Sequence, residues 1–163
     1  MVNTRCLTVA PLLLTVLLHA EQLPIRVYTT EDGLPSKQVA RIVRDSRGFL
    51  WFCTPEGLAR FDGYRFTTYG AAQGLTDRVV TQIVETAAGN YWIATGNGLF
   101  RLRPGGTGKP IQRPVLFSAN GEREPGFNVL ALDQSGLLWA SAASGTLFRM
   151  EADATLPIPC ASI

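Results

Sequence analysis

The residues that most enzymes use for nucleophilic or metal chemistry are scarce in this chain of 163 residues. It has one histidine, His19, and three cysteines, at positions 6, 53 and 160. His19 lies at the end of a segment that we interpret as a signal peptide. A mature chain without it has no imidazole for a Ser-His-Asp triad, a zinc site or phosphorylation. Cys53 lies in a predicted strand, where a buried, inert thiol is the better interpretation. The sequence therefore favours a protein without catalytic residues, metal or cofactor.

The carboxylates and glycine-rich turns also fall short of a known ionic site. Asp45 and Asp133 each open a predicted turn, but one carboxylate per turn is far from the roughly six oxygens that Ca²⁺ requires. Residues 96–98, Gly-Asn-Gly, lack the Lys-Ser/Thr pair and the following helix of a phosphate-binding loop. Turn formation is the better interpretation of both features. The 15 basic and 13 acidic residues are interspersed, and the formal charge is +2, so nothing predicts nucleic acid as a partner.

Residues 1–20 have the layout of a secretory signal peptide. Arg5 belongs to a short, weakly positive start, an apolar run extends from Leu7 to Leu18, and Ala20 offers a small residue for cleavage before Glu21. The apolar run is short for a membrane span, and an uncleaved anchor is the alternative. We expect export to the periplasm or another extracytoplasmic compartment.

Beyond residue 20 the chain repeats itself, and the repeat indicates the architecture that must position any site. Residues 33–61 and 74–102 align at a constant shift of 41, and a third, degenerate copy aligns at a shift of 47 from the second. The recurring positions are Gly33, Gly48, Trp51 and Gly57, then Gly74, Gly89, Trp92 and Gly98, then Gly136, Trp139 and Gly145. Repeats of this length indicate solenoids, propellers or arrays, because one unit cannot bury its own apolar face.

Each copy is predicted to form four short antiparallel strands. In the first copy these are Val39–Arg44, Phe49–Cys53, Leu58–Phe61 and Tyr64–Tyr69. Residues 45–48, Asp-Ser-Arg-Gly, have the composition of a type I turn, and Asp62-Gly63 is a strong hairpin signal. Four strands in about 41 residues is the size of one propeller blade. We predict an all-β fold, a partial β-propeller of about three four-stranded antiparallel blades.

The repeat boundaries predict the domain organisation. The signal peptide covers 1–20, and 21–32 is expected to hold the outer strand of an incomplete blade, at Ile25–Thr30. The three repeats cover 33–73, 74–120 with a Gly/Pro-rich insertion, and 121–152, and 153–163 is a tail. Thr86 replaces the turn aspartate in the second copy, where its hydroxyl is expected to make the same local bonds more weakly.

The repeat resembles that of the two-component regulator propeller family, which is found in the periplasmic half of bacterial sensor proteins. The family pattern has a Gly-Leu pair, an Asp before a Gly, a Trp-apolar-small-Thr strand and a second Gly-Leu pair. It stands here as Gly33-Leu34, Asp45, Gly48, Trp51-Phe52-Cys53-Thr54 and Gly57-Leu58, and again as Gly74-Leu75, Gly89, Trp92-Ile93-Ala94-Thr95 and Gly98-Leu99. The resemblance implies the amino-terminal piece of a longer sensor, whose further blades, membrane helix and cytoplasmic kinase or diguanylate cyclase would lie elsewhere in a parent chain.

Three functions of different classes remain open. The first is an extracytoplasmic module that senses a small ligand, for which the resemblance suggests a glycan, and that is membrane-associated only through parent domains. The second is a propeller enzyme of lyase type, which the lack of a mature histidine and of any acid cluster disfavours. The third is a structural or protein-binding β-repeat array, since fold does not determine function.

In a propeller, the loops before the first strand and between the second and third strands lie on one rim. The polar residues predicted there, and hence the candidate ligand-binding residues, are Lys37, Glu56, Asp77, Arg78 and Asn97. A sugar-stacking platform is one interpretation of the three tryptophans. Their recurrence at one repeat position instead favours packing between blades.

Overall fold

A computed structural model describes residues 23–104, 109–113, 124–153 and 161–162 of the chain. The predicted signal peptide and Cys160 lie outside these ranges. No helix within them has the length and apolar character needed to cross a membrane.

The described residues form three four-stranded antiparallel sheets, here called blades one to three. Blade one contains β1 (Arg41–Arg44), β2 (Leu50–Thr54), β3 (Gly57–Phe61) and β4 (Phe66–Tyr69). Blade two contains β5 (Val80–Glu85), β6 (Tyr91–Thr95), β7 (Gly98–Leu102) and β8 (Ile111–Gln112). Blade three contains β9 (Phe127–Leu132), β10 (Leu137–Ala142), β11 (Leu147–Glu151) and β12 (Ala161–Ser162). The predicted all-β fold and its three blades are confirmed.

Every blade is a simple meander, so its turns alternate between two edges. The turns between the first and second strands, at 45–49, 86–90 and 133–136, lie on what we call the lower edge. The turns between the second and third strands, at 55–56, 96–97 and 143–146, lie on the upper edge with the segments that lead into each first strand. The lower turns need glycine at their end, because Gly48, Gly89 and Gly136 have φ of 88°, 74° and 82°.

Two cores hold the blades together, one at each blade junction. Strand side chains alternate between the faces of a sheet. In β6, Tyr91 and Ile93 therefore pack toward blade one, and Trp92 and Ala94 pack toward blade three. The core between blades one and two includes Trp51, Cys53, Leu58, Ile83, Phe100 and Leu102, and the core between blades two and three includes Leu99, Leu130, Leu138, Phe148 and Met150. As a result all five residues of β6 are buried.

The inner strands of blades two and three are also joined by polar contacts. The buried Gln82 side chain donates to the Leu130 carbonyl at 2.7 Å and accepts from the Leu130 amide at 3.0 Å. The Thr81 hydroxyl is 3.0 Å from the Phe127 carbonyl oxygen. These bonds set the position of β5 relative to β9 along the strand direction.

Several boundaries differ from the sequence prediction, and β1 starts at Arg41 rather than Val39. Residues 25–29 are unpaired among the described residues and Thr30 begins a 3-10 turn (Thr30–Asp32), while the Tyr28 ring packs edge-on against Phe61 and Phe66. The outer strand expected at Ile25–Thr30 would pair with strands elsewhere in a parent chain and stays a prediction. The fourth strand of blade one starts at Phe66 rather than Tyr64, because the Asp62 carboxylate holds the amides of residues 64 and 65 in the turn. Residues 161–162, predicted as tail, pair with β11.

Candidate functional site

The turn aspartates are used to build the blades. Asp45 accepts hydrogen bonds from the backbone amides of Arg47 and Phe49 and, at 2.9 Å, from the indole nitrogen of Trp51. Asp133 does the same two repeats later, accepting from the Ser135 and Leu137 amides and, at 3.0 Å, from the Trp139 indole. The prediction of turn capping is confirmed, and each carboxylate additionally holds the repeat tryptophan.

Two of the three repeat tryptophans pack between blades. Trp51 and Trp92 are 1% and 0% exposed, whereas Trp139 is half-buried on the outer face of blade three. Each has an arginine on the neighbouring strand over its ring: Arg60 over Trp51, Arg101 over Trp92 and Arg149 over Trp139. Burial excludes Trp51 and Trp92 as a sugar-stacking platform.

A polar network crosses the lower edge between blades one and two. The Tyr91 hydroxyl donates to Asp45 at 2.7 Å, and the Arg47 guanidinium donates to the same hydroxyl at 2.6 Å. Burial raises the pKa of Tyr91 to about 12. Burial also raises the pKa of Asp45, but the hydrogen bonds from Trp51 and Tyr91 outweigh it and leave that pKa below its ordinary value. Glu85 adds two bonds from Ser46, at 2.7 and 2.8 Å.

The upper edge contains a cleft between blades one and two. Its volume is about 360 Å³, and its polar lining includes Glu56, Tyr69, Thr76, Asp77 and Arg78. Three of the five candidate residues predicted from the sequence therefore meet in one cleft. The buried Leu75 forms part of its wall.

The polar groups of the cleft differ in how many hydrogen bonds and ion pairs they already form within the chain. Arg78 Nη1 lies 3.4 Å from Glu56 Oε2, and both side chains are exposed, so this ion pair contributes little to stability. Asp77 Oδ1 accepts from the Val79 amide at 3.3 Å. Asp77 Oδ2 is buried and has no hydrogen-bond partner among the described residues. Because an unsatisfied buried acceptor is costly, this oxygen is a weak point of the upper edge that only a donor reaching below the surface would satisfy.

The other two candidate residues lie outside the cleft lining. Lys37 is exposed on the segment before β1. Asn97 is exposed in the turn between β6 and β7, where its carbonyl oxygen and side-chain oxygen both accept from Arg113.

Two upper-edge residues of blade three escaped the sequence analysis. Glu124 and Ser144 occupy the repeat positions of Asp77 and Asn97, since both are shifted by 47 residues. Glu124 is 4% exposed, its Oε2 accepts from the Ser144 hydroxyl at 2.7 Å, and its Oε1 has no partner within the part of the chain that the structure describes. Both residues could have been predicted from the sequence by adding the 47-residue shift to the candidate positions in the second repeat.

The remaining chemistry-bearing groups are inert or isolated. Cys53 is a fully buried free thiol, and burial raises its pKa to about 12, as the interpretation of an inert thiol requires. In the part of the chain that the structure describes, no three His, Cys, Asp or Glu side chains are grouped as metal ligands.

Meander blades stacked through recurring tryptophans define a β-propeller type of repeat protein. The family model described as two component regulator propeller matches residues 33–56 and 74–97, so two segments of the chain are similar to the repeat of this family. No curated protein matches the chain.

Solved structures to which the chain is similar include two extracellular domains from B. thetaiotaomicron. The first, described as belonging to a hybrid two component system, has 23% identity and a TM-score of 0.61 over 72% of this chain and 17% of its own. The second, from another hybrid two component system, has 18% identity and a TM-score of 0.48 over 79% of this chain and 24% of its own. The chain thus spans about a sixth of the first relative.

Proposed function

We propose that this chain is part of an extracytoplasmic ligand-sensing propeller of a two-component-type sensor. The two matched repeats support it, as does the fold shared with an extracellular domain of a hybrid two component system. The module would recognise a ligand outside the cytoplasm, and further blades and signalling domains of a longer parent chain would supply closure of the propeller and the output. It would perform no catalysis itself.

The cleft between blades one and two is the site that we assign to the ligand. The observation that carries this assignment is the meeting of Glu56, Asp77 and Arg78, two carboxylates and a guanidinium, in the lining of one cleft between blades one and two. Carboxylate acceptors and a guanidinium donor on a rigid rim suit a hydroxyl-rich ligand of small size, such as a mono- or oligosaccharide. A glycan is therefore the ligand class that we propose.

Calorimetric titration of the full chain with a panel of neutral mono- and oligosaccharides tests this function. For a saccharide that binds, Asp77→Asn and Arg78→Ala should each weaken affinity about tenfold, the effect expected from losing roughly one good hydrogen bond. Arg65→Ala is the matched control, because Arg65 also forms an exposed ion pair of 3.4 Å, with Asp62, but at the lower edge.

The pattern across these variants separates the outcomes. Weaker binding in the two cleft variants with an unchanged Arg65→Ala supports the site. Equal affinity in all four proteins would place the ligand elsewhere. Failure of every saccharide to bind would refute the glycan assignment.

A further inference from the structure

The lower turn of blade two lacks the carboxylate on which the other two blades depend. In blades one and three, an aspartate at the first turn position accepts from the amides two and four residues later and from the tryptophan indole six residues later. Blade two has Thr86 at that position. A threonine hydroxyl is too short and too weak an acceptor to replace a carboxylate at all three donors.

A carboxylate from blade three occupies this turn instead. Asp153 Oδ1 accepts from the Thr86 hydroxyl at 2.6 Å and from the Asn90 side-chain amide at 3.0 Å, and Oδ2 accepts from the Ala88 amide at 3.2 Å. The preceding residue, Ala152, replaces the aspartate as the acceptor for the tryptophan: its carbonyl accepts from the Trp92 indole at 2.8 Å. Asp153 is the second residue after β11, so one short segment connects the end of this strand of blade three to the turn of blade two.

The charge of the site favours an anion. Arg101 is 1% exposed, stacks over Trp92 and lies 3.5 Å from Asp153 Oδ1. A buried guanidinium is stable only where an opposite charge and hydrogen bonds compensate its desolvation. Burial raises the pKa of Asp153, but the bonds from Thr86, Asn90 and Ala88 outweigh it and hold that pKa below its ordinary value.

We propose that Thr86, Ala88, Asn90 and Arg101 form a carboxylate-binding socket on blade two, and that Asp153 is its intramolecular ligand, which locks blade three onto blade two. The socket takes the place of the turn aspartate that the second repeat has lost. When Asp153 is removed, the socket is a site for a small monocarboxylate such as formate, whose carboxylate has the same geometry as the side chain that it replaces.

Chemical rescue of thermal stability tests the socket directly. In the full chain, Asp153→Ala should lower Tm by about 5 °C or more, because it removes the carboxylate that accepts from Thr86, Ala88 and Asn90 and that lies beside the buried Arg101 guanidinium. Sodium formate, compared with sodium chloride of equal ionic strength, should raise the Tm of Asp153→Ala clearly more than that of the unaltered chain. An equal effect of formate on both proteins would overturn the proposal.

A second substitution keeps the test decisive where Asp153→Ala does not fold. Thr86→Asp should lower Tm in the unaltered chain, because it places a second carboxylate beside Asp153, and should raise Tm in the Asp153→Ala background, because it restores the turn of blades one and three. The doubly substituted chain should no longer respond to formate. A Thr86→Asp effect of the same sign and size in both backgrounds, or a doubly substituted chain that stays unfolded when Asp153→Ala is unfolded, would also overturn the proposal.

Discussion

Replacing Trp92 by alanine should destabilise the chain far more than the same replacement of Trp139. The two residues hold one position of the repeat, and each has a cross-strand arginine over its ring. They differ in what covers them: Trp92 is 0% exposed between blades two and three, whereas Trp139 is half-buried on the outer face of blade three.

The expected loss in the free energy of unfolding follows from the contacts that each substitution removes. Deleting a fully buried tryptophan side chain from a core costs about 3 to 5 kcal/mol. Trp92→Ala also removes the indole donor from the Ala152 carbonyl, which is worth about 1 kcal/mol where water does not replace it. For Trp139, whose ring is only partly buried and whose indole bond to Asp133 lies near the surface, we expect a smaller loss of about 1 to 2 kcal/mol.

Urea unfolding of the full chain, followed by far-ultraviolet circular dichroism, measures both losses without relying on tryptophan fluorescence. If Trp92→Ala does not fold, Trp92→Phe and Trp139→Phe give the same comparison with smaller losses. Equal destabilisation at the two positions, or a loss below about 1 kcal/mol for Trp92→Ala, would refute packing between blades as the role of the repeat tryptophan.

Three further predictions concern single groups. Tyr91→Phe should lower the free energy of unfolding by about 1 to 2 kcal/mol in urea titrations, because Asp45 and Arg47 lose the hydroxyl between them, and an unchanged value would contradict the cross-blade network. Hydrogen bonds from Ser135 and Trp139 lower the pKa of Asp133 to about 2. The contribution of Asp133 to stability is therefore complete above the ordinary aspartate pKa of about 3.9 and is lost as the pH falls toward 2. Asp133→Asn should reduce the loss of stability at acidic pH, and an identical pH dependence of the two proteins would argue against these bonds. Cys53 should not react with a thiol reagent in the native chain, so the native chain and Cys53→Ser should release equal amounts of chromophore and should differ by one thiol only after denaturation.

The parts of the fold that the sequence predicted are those with local causes. The lower turn of blade one follows from Asp45 and Gly48, and the four strands of that blade follow from the turn residues between them. The boundary at Tyr64 was wrong by two residues because the prediction counted a β-forming residue whose amide belongs to the turn. Residues 161–162 escaped notice because a two-residue strand has no detectable pattern.

The parts of the site that the sequence missed depend on long-range contacts. Glu56 and Arg78 were predicted to share a rim, but their meeting with Asp77 in one cleft depends on the angle between two blades. The replacement of a turn aspartate by Thr86 was visible, whereas its compensation by Asp153, 67 residues later, was not. No spacing rule connects these two residues, because they are joined only when blade three packs on blade two.

Hydrogen–deuterium exchange of the full chain, resolved by mass spectrometry into peptides, tests the stacking of the blades most directly. All residues of β6 are buried between two neighbouring blades, whereas three of the four residues of β1 are exposed. Amide protection tracks the depth of burial and the cooperativity of the packed unit. We predict the slowest exchange in peptides that contain β6 and β7 and clearly faster exchange in β1. Uniform exchange along the chain, or greater protection of β1 than of β6, would contradict a blade two held between blades one and three.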